Sequence, residues 1–180
     1  MDVRAAEPAD EKLLLDLLNT TPMVDGVPRD SLQDKAAARA WMRERGIAAT
    51  TVERVALIEV RSILQAVIRG QQTPAALQPY LTAVSLQPTA TDTGLDWHLA
   101  ITGAPAGAVR AVLAWDALRI FSPGRLRPCA NTECRLFFID RSKPNTARWC
   151  SMAICGNRMK ARRHYRRARS DGGNYHGTTG

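Results

Sequence analysis

Apolar residues recur over the first two thirds of the chain at the three-and-four spacing of amphipathic helices. Asp10 precedes Leu13, Leu14, Leu17 and Leu18, which predicts a first helix. Residues 20–30 contain Pro22, Gly26 and Pro28 and read as a loop. Ser31 and Asp34 resemble a capping box, and the helix they open carries Leu32, Ala36, Trp41 and Met42 as far as Gly46. Thr51 opens a third helix, with Val52, Val55, Leu57, Ile58, Leu64, Val67 and Ile68 along it and Gly70 at its end. Thr73-Pro74 starts a fourth, because proline is tolerated at the first helical position. That helix carries Leu77, Tyr80, Leu81 and Val84 and stops near Pro88. Over residues 89–103 the period changes. Leu95, Trp97, Leu99 and Ile101 alternate with other residues, a strand pattern, and Asp92-Thr93-Gly94 supplies a hairpin turn. A last helix of this part begins at about Ala106 and carries Val109, Val112, Leu113, Trp115, Leu118 and Ile120. Ser122-Pro123-Gly124 ends it and marks a boundary.

The expected fold is therefore mainly α with a small β-hairpin. Residues 1–121 form a helical domain, 122–170 a smaller C-terminal unit, and 171–180, rich in Gly and Thr, a flexible tail. A length of 180 residues, 45% apolar and 23% charged, fits one globular domain with an appendage. No run of eighteen apolar residues suggests a membrane span. The acid-rich first residues, and Asp16 after the leucine run, argue against a secretory signal. The expected location is the cytoplasm, where thiols stay reduced.

Charge separates the two parts. Residues 1–121 hold 12 Lys and Arg against 14 Asp and Glu, a net of −2; residues 122–180 hold 13 against 3, a net of +10. Such asymmetry points to a segment that binds polyanions. The same segment holds all four cysteines, spaced Cys129-x4-Cys134-x15-Cys150-x4-Cys155. Two close pairs joined by a modest loop describe a structural zinc site, in which four thiolates close a tetrahedron around one ion. Two disulfides and an iron–sulfur cluster are the alternatives for the same residues. Neither His164 nor His176 sits at a spacing that replaces a ligand. Between the pairs, 136–139 reads as a strand, and 148–150 as its returning partner. Phe137, Phe138 and Trp149 are expected to pack near the metal and dock the finger on the helical domain.

After Cys155, seven of the fourteen residues 156–169 are Lys or Arg. Arg158, Arg162, Arg166 and Arg169 repeat at helical spacing as one stripe, flanked by Lys160, Arg163 and Arg167. Like charges at that spacing repel, and a polyanion relieves the repulsion. Arginine forks grip phosphate oxygens in pairs of hydrogen bonds. The competing reading is a solvated basic face.

These residues carry a family resemblance. Cys129, Cys134, residues 138–142, residues 148–152 and Cys155-Gly156-Asn157-Arg158 followed by Lys160 resemble the CGNR zinc finger. The hexapeptide Leu15-Asp16-Leu17-Leu18-Asn19-Thr20 is similar to the start of the ABATE domain, with Leu17-Leu18 where that family has Phe-Val. The resemblance implies one structural zinc ion on the four cysteines and a stress-induced bacterial transcription regulator that binds double-stranded DNA. Asp16, Asn19 and Thr20 share one face of a helix and are candidates for a small ligand pocket; the alternative is that Asn19 and Thr20 cap the helix. Arg158 and Asn157 have an alternative too, bonding to the finger's own backbone or holding Asp140.

The leading expectation is a regulator with a sensing or dimerising helical domain and a DNA-binding finger. Its partners would be nucleic acid, a small-molecule effector and a second copy of the chain, and no membrane. RNA binding and a zinc-stapled module docking on an acidic protein are the rivals. An enzyme is not expected, since the chain has no Gly-rich phosphate loop, HExxH or Gly-x-Ser-x-Gly motif.

Overall fold

The computed structural model describes residues 8–103 and 105–171, without the side chains of 169–171. Four α-helices build the N-terminal part: α1 (Pro8–Leu18), α2 (Lys35–Glu44), α3 (Thr51–Ile68) and α4 (Ala106–Phe121). Their buried faces follow the leucine spacing. Leu13, Leu14, Leu17 and Leu18 of α1 meet Leu57, Val60 and Leu64 of α3 and the alanine-rich face of α4 in one core. Small residues on α4, Ala108, Ala111 and Ala114, let α1 and α3 come close.

Local chemistry sets the boundaries. Asp34 is the N-cap of α2 and accepts from the Ala37 N–H, so the helix starts after Asp34 rather than at Ser31. Thr50 caps α3 in the same way through the Glu53 N–H. Pro105, at the N-cap of α4, has no side chain to offer; the buried Glu53 carboxylate of α3 accepts from the Ala108 N–H instead. The loop 20–30 contains a two-residue ribbon, β1 (Met23–Val24) and β2 (Val27–Pro28), turned by Asp25 and Gly26 at positive φ.

Two expectations need correcting. The fourth predicted helix is only a 3₁₀ segment, Pro74–Tyr80, interrupted by Pro79. The strand that follows begins earlier than expected: β3 (Val84–Thr91) pairs with β4 (Gly94–Ile101) around Asp92 and Thr93. Pro88 sits inside β3 because that strand has a free edge, where a missing N–H costs nothing in the ladder. The hairpin projects with both faces exposed along most of its length. Leu86, Pro88 and Ala90 stand opposite Leu99, Trp97 and Leu95 and form an apolar face.

The second correction concerns the C-terminal unit. Strand β6 (Phe137–Ile139) pairs with β5 (Leu126–Pro128), upstream of the first cysteine, and residues 148–150 form no strand. Asp140 explains the change. Its buried carboxylate accepts from the Ser142 and Ala147 N–H groups, which folds 140–147 into a compact loop instead of a hairpin turn. Arg127 donates to the Asn145 and Ala147 carbonyls and pairs with Asp140 at 3.5 Å. A π-helical turn, Met152–Gly156, then leads into α5 (Asn157–Asp171). Of the tail expected at 171–180, residues 172–180 lie outside the described residues, as does His176. Among the described residues no helix is long and apolar enough to cross a membrane.

Candidate metal centre and basic helix

The four cysteines reach one point from four different local structures. Cys129 follows β5, and its N–H donates to the Leu136 carbonyl. Cys134 closes a turn by donating its N–H to the Asn131 carbonyl. Cys150 sits at a bend, and Cys155 sits in the π-helical turn that leads into α5. Ser151 caps that turn by accepting from the Ile154 N–H.

The four sulfurs lie within 4.8 Å of one another, with Cys134–Cys150 and Cys150–Cys155 both at 3.7 Å. Zn–S bonds of about 2.3 Å set a tetrahedral sulfur–sulfur edge of about 3.8 Å. The cluster therefore fits a single tetrahedral ion. A disulfide requires sulfurs about 2.05 Å apart, and all four cysteines are free. The sulfurs are also too close together to surround a multi-iron cluster. A closed set of four thiolates leaves no position for water, so zinc here would supply folding energy rather than catalysis.

The surroundings support the thiolate form unevenly. Burial pushes the Cys134 thiol up to about 11, and burial together with the neighbouring thiols pushes Cys150 higher still. Burial also opposes ionisation of Cys155, but hydrogen bonds from Asn131 and the other thiols outweigh it and bring that thiol below its ordinary value. Asn131 is fully buried; its side-chain N–H points at the Cys155 sulfur at 3.6 Å, and its side-chain oxygen accepts from the Glu133 N–H. This orienting residue was not anticipated from the sequence, although an Asn two positions after a Cys, inside a tight turn, is the available signal. Gly156 is packed rather than strained: a Cβ there would lie 2.8 Å from the Met152 sulfur and 3.3 Å from the Trp149 ring. Asn157 donates to the Ala153 carbonyl, which ties the start of α5 back to the turn.

A finger with these parts and a helical domain ahead of it can be compared with known families. The ABATE profile, described as "Putative stress-induced transcription regulator", matches residues 11–123, and the CGNR zinc finger profile matches 125–168. The chain belongs to the ABATE family. Its C-terminal unit is a CGNR zinc finger, and the cysteines of that finger are the four that converge here. No curated protein matches the chain closely enough to count as a relative.

Within this ABATE protein, the three candidate pocket residues reach different partners. The Asp16 carboxylate pairs with Arg45 of the chain after α2 at 2.9 Å and with Lys12 at 2.6 Å. The Thr20 hydroxyl donates to the Leu17 carbonyl, ending α1, and accepts from Arg61 of α3. Arg61 is buried and forms a two-pronged pair with Asp30 at 2.6 and 2.7 Å. Asn19 reaches across to the finger. Its side-chain oxygen accepts from the Phe137 N–H at 2.8 Å, and its side-chain N–H donates to the Phe137 carbonyl at 3.1 Å. Phe137 and Pro128 form a non-hydrogen-bonded pair of the ribbon, so both backbone groups of Phe137 point away from β5 and reach Asn19. The Phe137 ring is 1% exposed in the helical core, under the Arg69 guanidinium at 4.4 Å. Arg141 adds an ion pair with Glu11.

The basic residues of α5 meet two different surroundings. Arg162 pairs with Glu133, whose carboxyl is held below its ordinary value chiefly by the Arg162 hydrogen bond, with the charges of Arg162 and Arg158 adding to it. Arg163, Arg166 and Arg167 instead face a cleft of about 400 Å³, together with Met159 of α5 and with Arg148 and Trp149 of the finger. Lys160 is exposed. The side chain of Arg169 lies outside the described residues. The partner of Asp140 is Arg127, not Arg158.

Proposed function

We propose that this ABATE protein is a cytoplasmic transcription regulator that binds DNA through the zinc-anchored helix α5. The supporting observation is the placement of charge. Exposed Arg158, Lys160, Arg163, Arg166 and Arg167 lie along one helix whose first turn is tied to a ligand cysteine. The metal fixes the helix start, and the arginines meet phosphate oxygens. Binding of a nonspecific duplex should weaken by about 10³–10⁵ between 50 and 200 mM salt if 6–10 phosphates are contacted. A salt-independent affinity would refute the proposal.

The helical part is the candidate for sensing or dimerisation, and the β3–β4 hairpin favours dimerisation. A lone two-stranded ribbon is marginal in water. This one shows an apolar face on which Leu95, Trp97 and Leu99 are each at least half exposed. These residues form a ridge on β4, while Pro88 and Ala90 leave a trough on β3. A two-fold axis would lay the ridge of one copy in the trough of another. The hairpin carries Asp92, Asp96 and His98 but no Lys or Arg, so it is unsuited to nucleic acid.

A further inference from the structure

We infer that the cleft between the finger and α5 is a phosphate site for one strand of nucleic acid, and that Arg148 of the finger is one of its contacts. The inference rests on the DNA-binding reading above and sharpens it.

Three observations carry it. The first is the charge of the cleft. Among the described residues, Arg148, Arg163, Arg166 and Arg167 contribute to its lining, and no Asp or Glu does. Among the described residues, Arg148, Arg163 and Arg166 have no carboxylate partner. The guanidinium groups of Arg148, Arg163 and Arg166 share one cavity with no such partner and repel one another, and an anion removes that cost. The second is the contrast with the neighbouring arginines nearer the start of the helix. There Arg162 already has an internal anion in Glu133, with Arg158 nearby. Arg162 therefore has an anion within the chain, whereas Arg148, Arg163 and Arg166 have none among the described residues. The third is the construction of the cleft. Positions 163, 166 and 167 span just over one helical turn, about 6 Å along the axis, which suits one or two neighbouring phosphates. Arg148 approaches from a separate segment, with its guanidinium 5.4 Å from the Trp149 ring centre. Stacking on an aromatic ring holds a guanidinium with its fork available. Trp149 precedes the ligand Cys150 directly, so metal binding fixes this wall of the cleft as well as the helix.

The ligand chemistry is phosphate, and the backbone of nucleic acid is the source that matches a long basic helix continuing past the cleft. A small phosphate anion is the other source, and the experiment separates the two. Fluorescence anisotropy of a labelled nonspecific duplex, titrated with the full zinc-loaded chain from 50 to 200 mM salt, compares wild type with Arg148→Ala, the pair Arg163→Ala and Arg166→Ala, and the pair Arg158→Ala and Arg162→Ala. Zinc content and helical circular dichroism confirm that each variant is folded. Arg148→Ala should lower the slope of log K against log salt by about 0.9, and the Arg163/Arg166 pair by about 1.8, one phosphate for each arginine. The Arg158/Arg162 pair should change it less than the cleft pair. If wild type binds the duplex and the cleft variants match it, the cleft assignment falls while the DNA-binding reading stands. If wild type does not bind, both fall. Inorganic pyrophosphate that binds more tightly than the duplex, and loses its affinity in Arg148→Ala, would overturn the nucleic-acid assignment in favour of a small anion.

Discussion

Replacing Asn19 by Ala should loosen the finger from the helical core without touching the metal. The side chain makes two hydrogen bonds, at 2.8 and 3.1 Å, to the N–H and carbonyl of Phe137. Deleting it leaves both groups without a partner beside a ring that is almost fully buried. Each buried group left unsatisfied costs about 1–3 kcal/mol. Asn19 is itself only half-buried, so water can reach part of the site. The expected loss is therefore about 2–4 kcal/mol, nearer the lower half of the combined range. For a chain of this size, 1 kcal/mol corresponds to about 2–4 °C in Tm. The midpoint should fall by about 4–16 °C, read by circular dichroism at 222 nm in the presence of zinc. Asn19→Asp is the sharper variant. It keeps an acceptor for the Phe137 N–H but sets a second oxygen against the Phe137 carbonyl, so it should not restore wild-type stability. Zinc stoichiometry should stay at one in both variants. A Tm within 1 °C of wild type for Asn19→Ala would refute the reasoning, because the two bonds would then contribute nothing to docking.

Chelating zinc at neutral pH should make four thiols per chain reactive to a thiol reagent, and should lower the Tm of the helical part as well, because Phe137 lies in its core. Asp30→Asn should cost about 3 kcal/mol in urea unfolding, since it strips the charge partner from buried Arg61; solvent at Asp30 keeps the loss at the low end of the range for buried pairs. The same pair sets an acid limit. Burial raises the Asp30 carboxyl, but hydrogen bonds from Arg61 and the Leu32 N–H and the charge of Arg61 outweigh it and hold it below its ordinary value. A depressed carboxylate stabilises the fold above its unfolded value of about 3.9 and loses that contribution as pH falls through the lower folded value. Stability should thus decline more steeply below about pH 4 in wild type than in Asp30→Asn. Trp97→Ser should shift sedimentation from dimer toward monomer with no change in zinc content, and an unchanged association state would remove the hairpin from the interface.

The helices were legible because their leucines recur on one face and their caps are local. Thr50, Gly70 and the 122–124 break each act within a few residues of the boundary they set. The metal centre was legible for the same reason: four cysteines in two close pairs leave few other arrangements. The errors share a cause as well. The strand partner of 137–139 was sought downstream, at 148–150, because the loop looked like a turn. It is Asp140, buried with two N–H groups on its carboxylate, that turns the chain away, and nothing about an isolated Asp announces its burial. The cap of α4 likewise comes from Glu53, 55 positions upstream of the N–H it accepts, beyond the reach of any local pattern.

The hexapeptide shows what such patterns leave out. Periodicity put Asp16, Asn19 and Thr20 on one helical face, and one face suggested one pocket. In the fold each residue closes a different joint: Asp16 to Arg45 beyond α2, Thr20 to Arg61 in α3, Asn19 to Phe137 in the finger. The last joint matters most for a regulator. It places the end of α1 two hydrogen bonds from β6, and β6 lies between the first and second cysteine pairs. A shift of α1 against α3 would strain the Asn19–Phe137 contact before it disturbed the sulfurs, because the end of α1 carries one partner of that contact and none of the cysteines. A signal received by the helical part would have a short physical route to the finger. It runs through backbone groups that, at 137, only proline would alter, and through one amide at 19 that a single substitution removes.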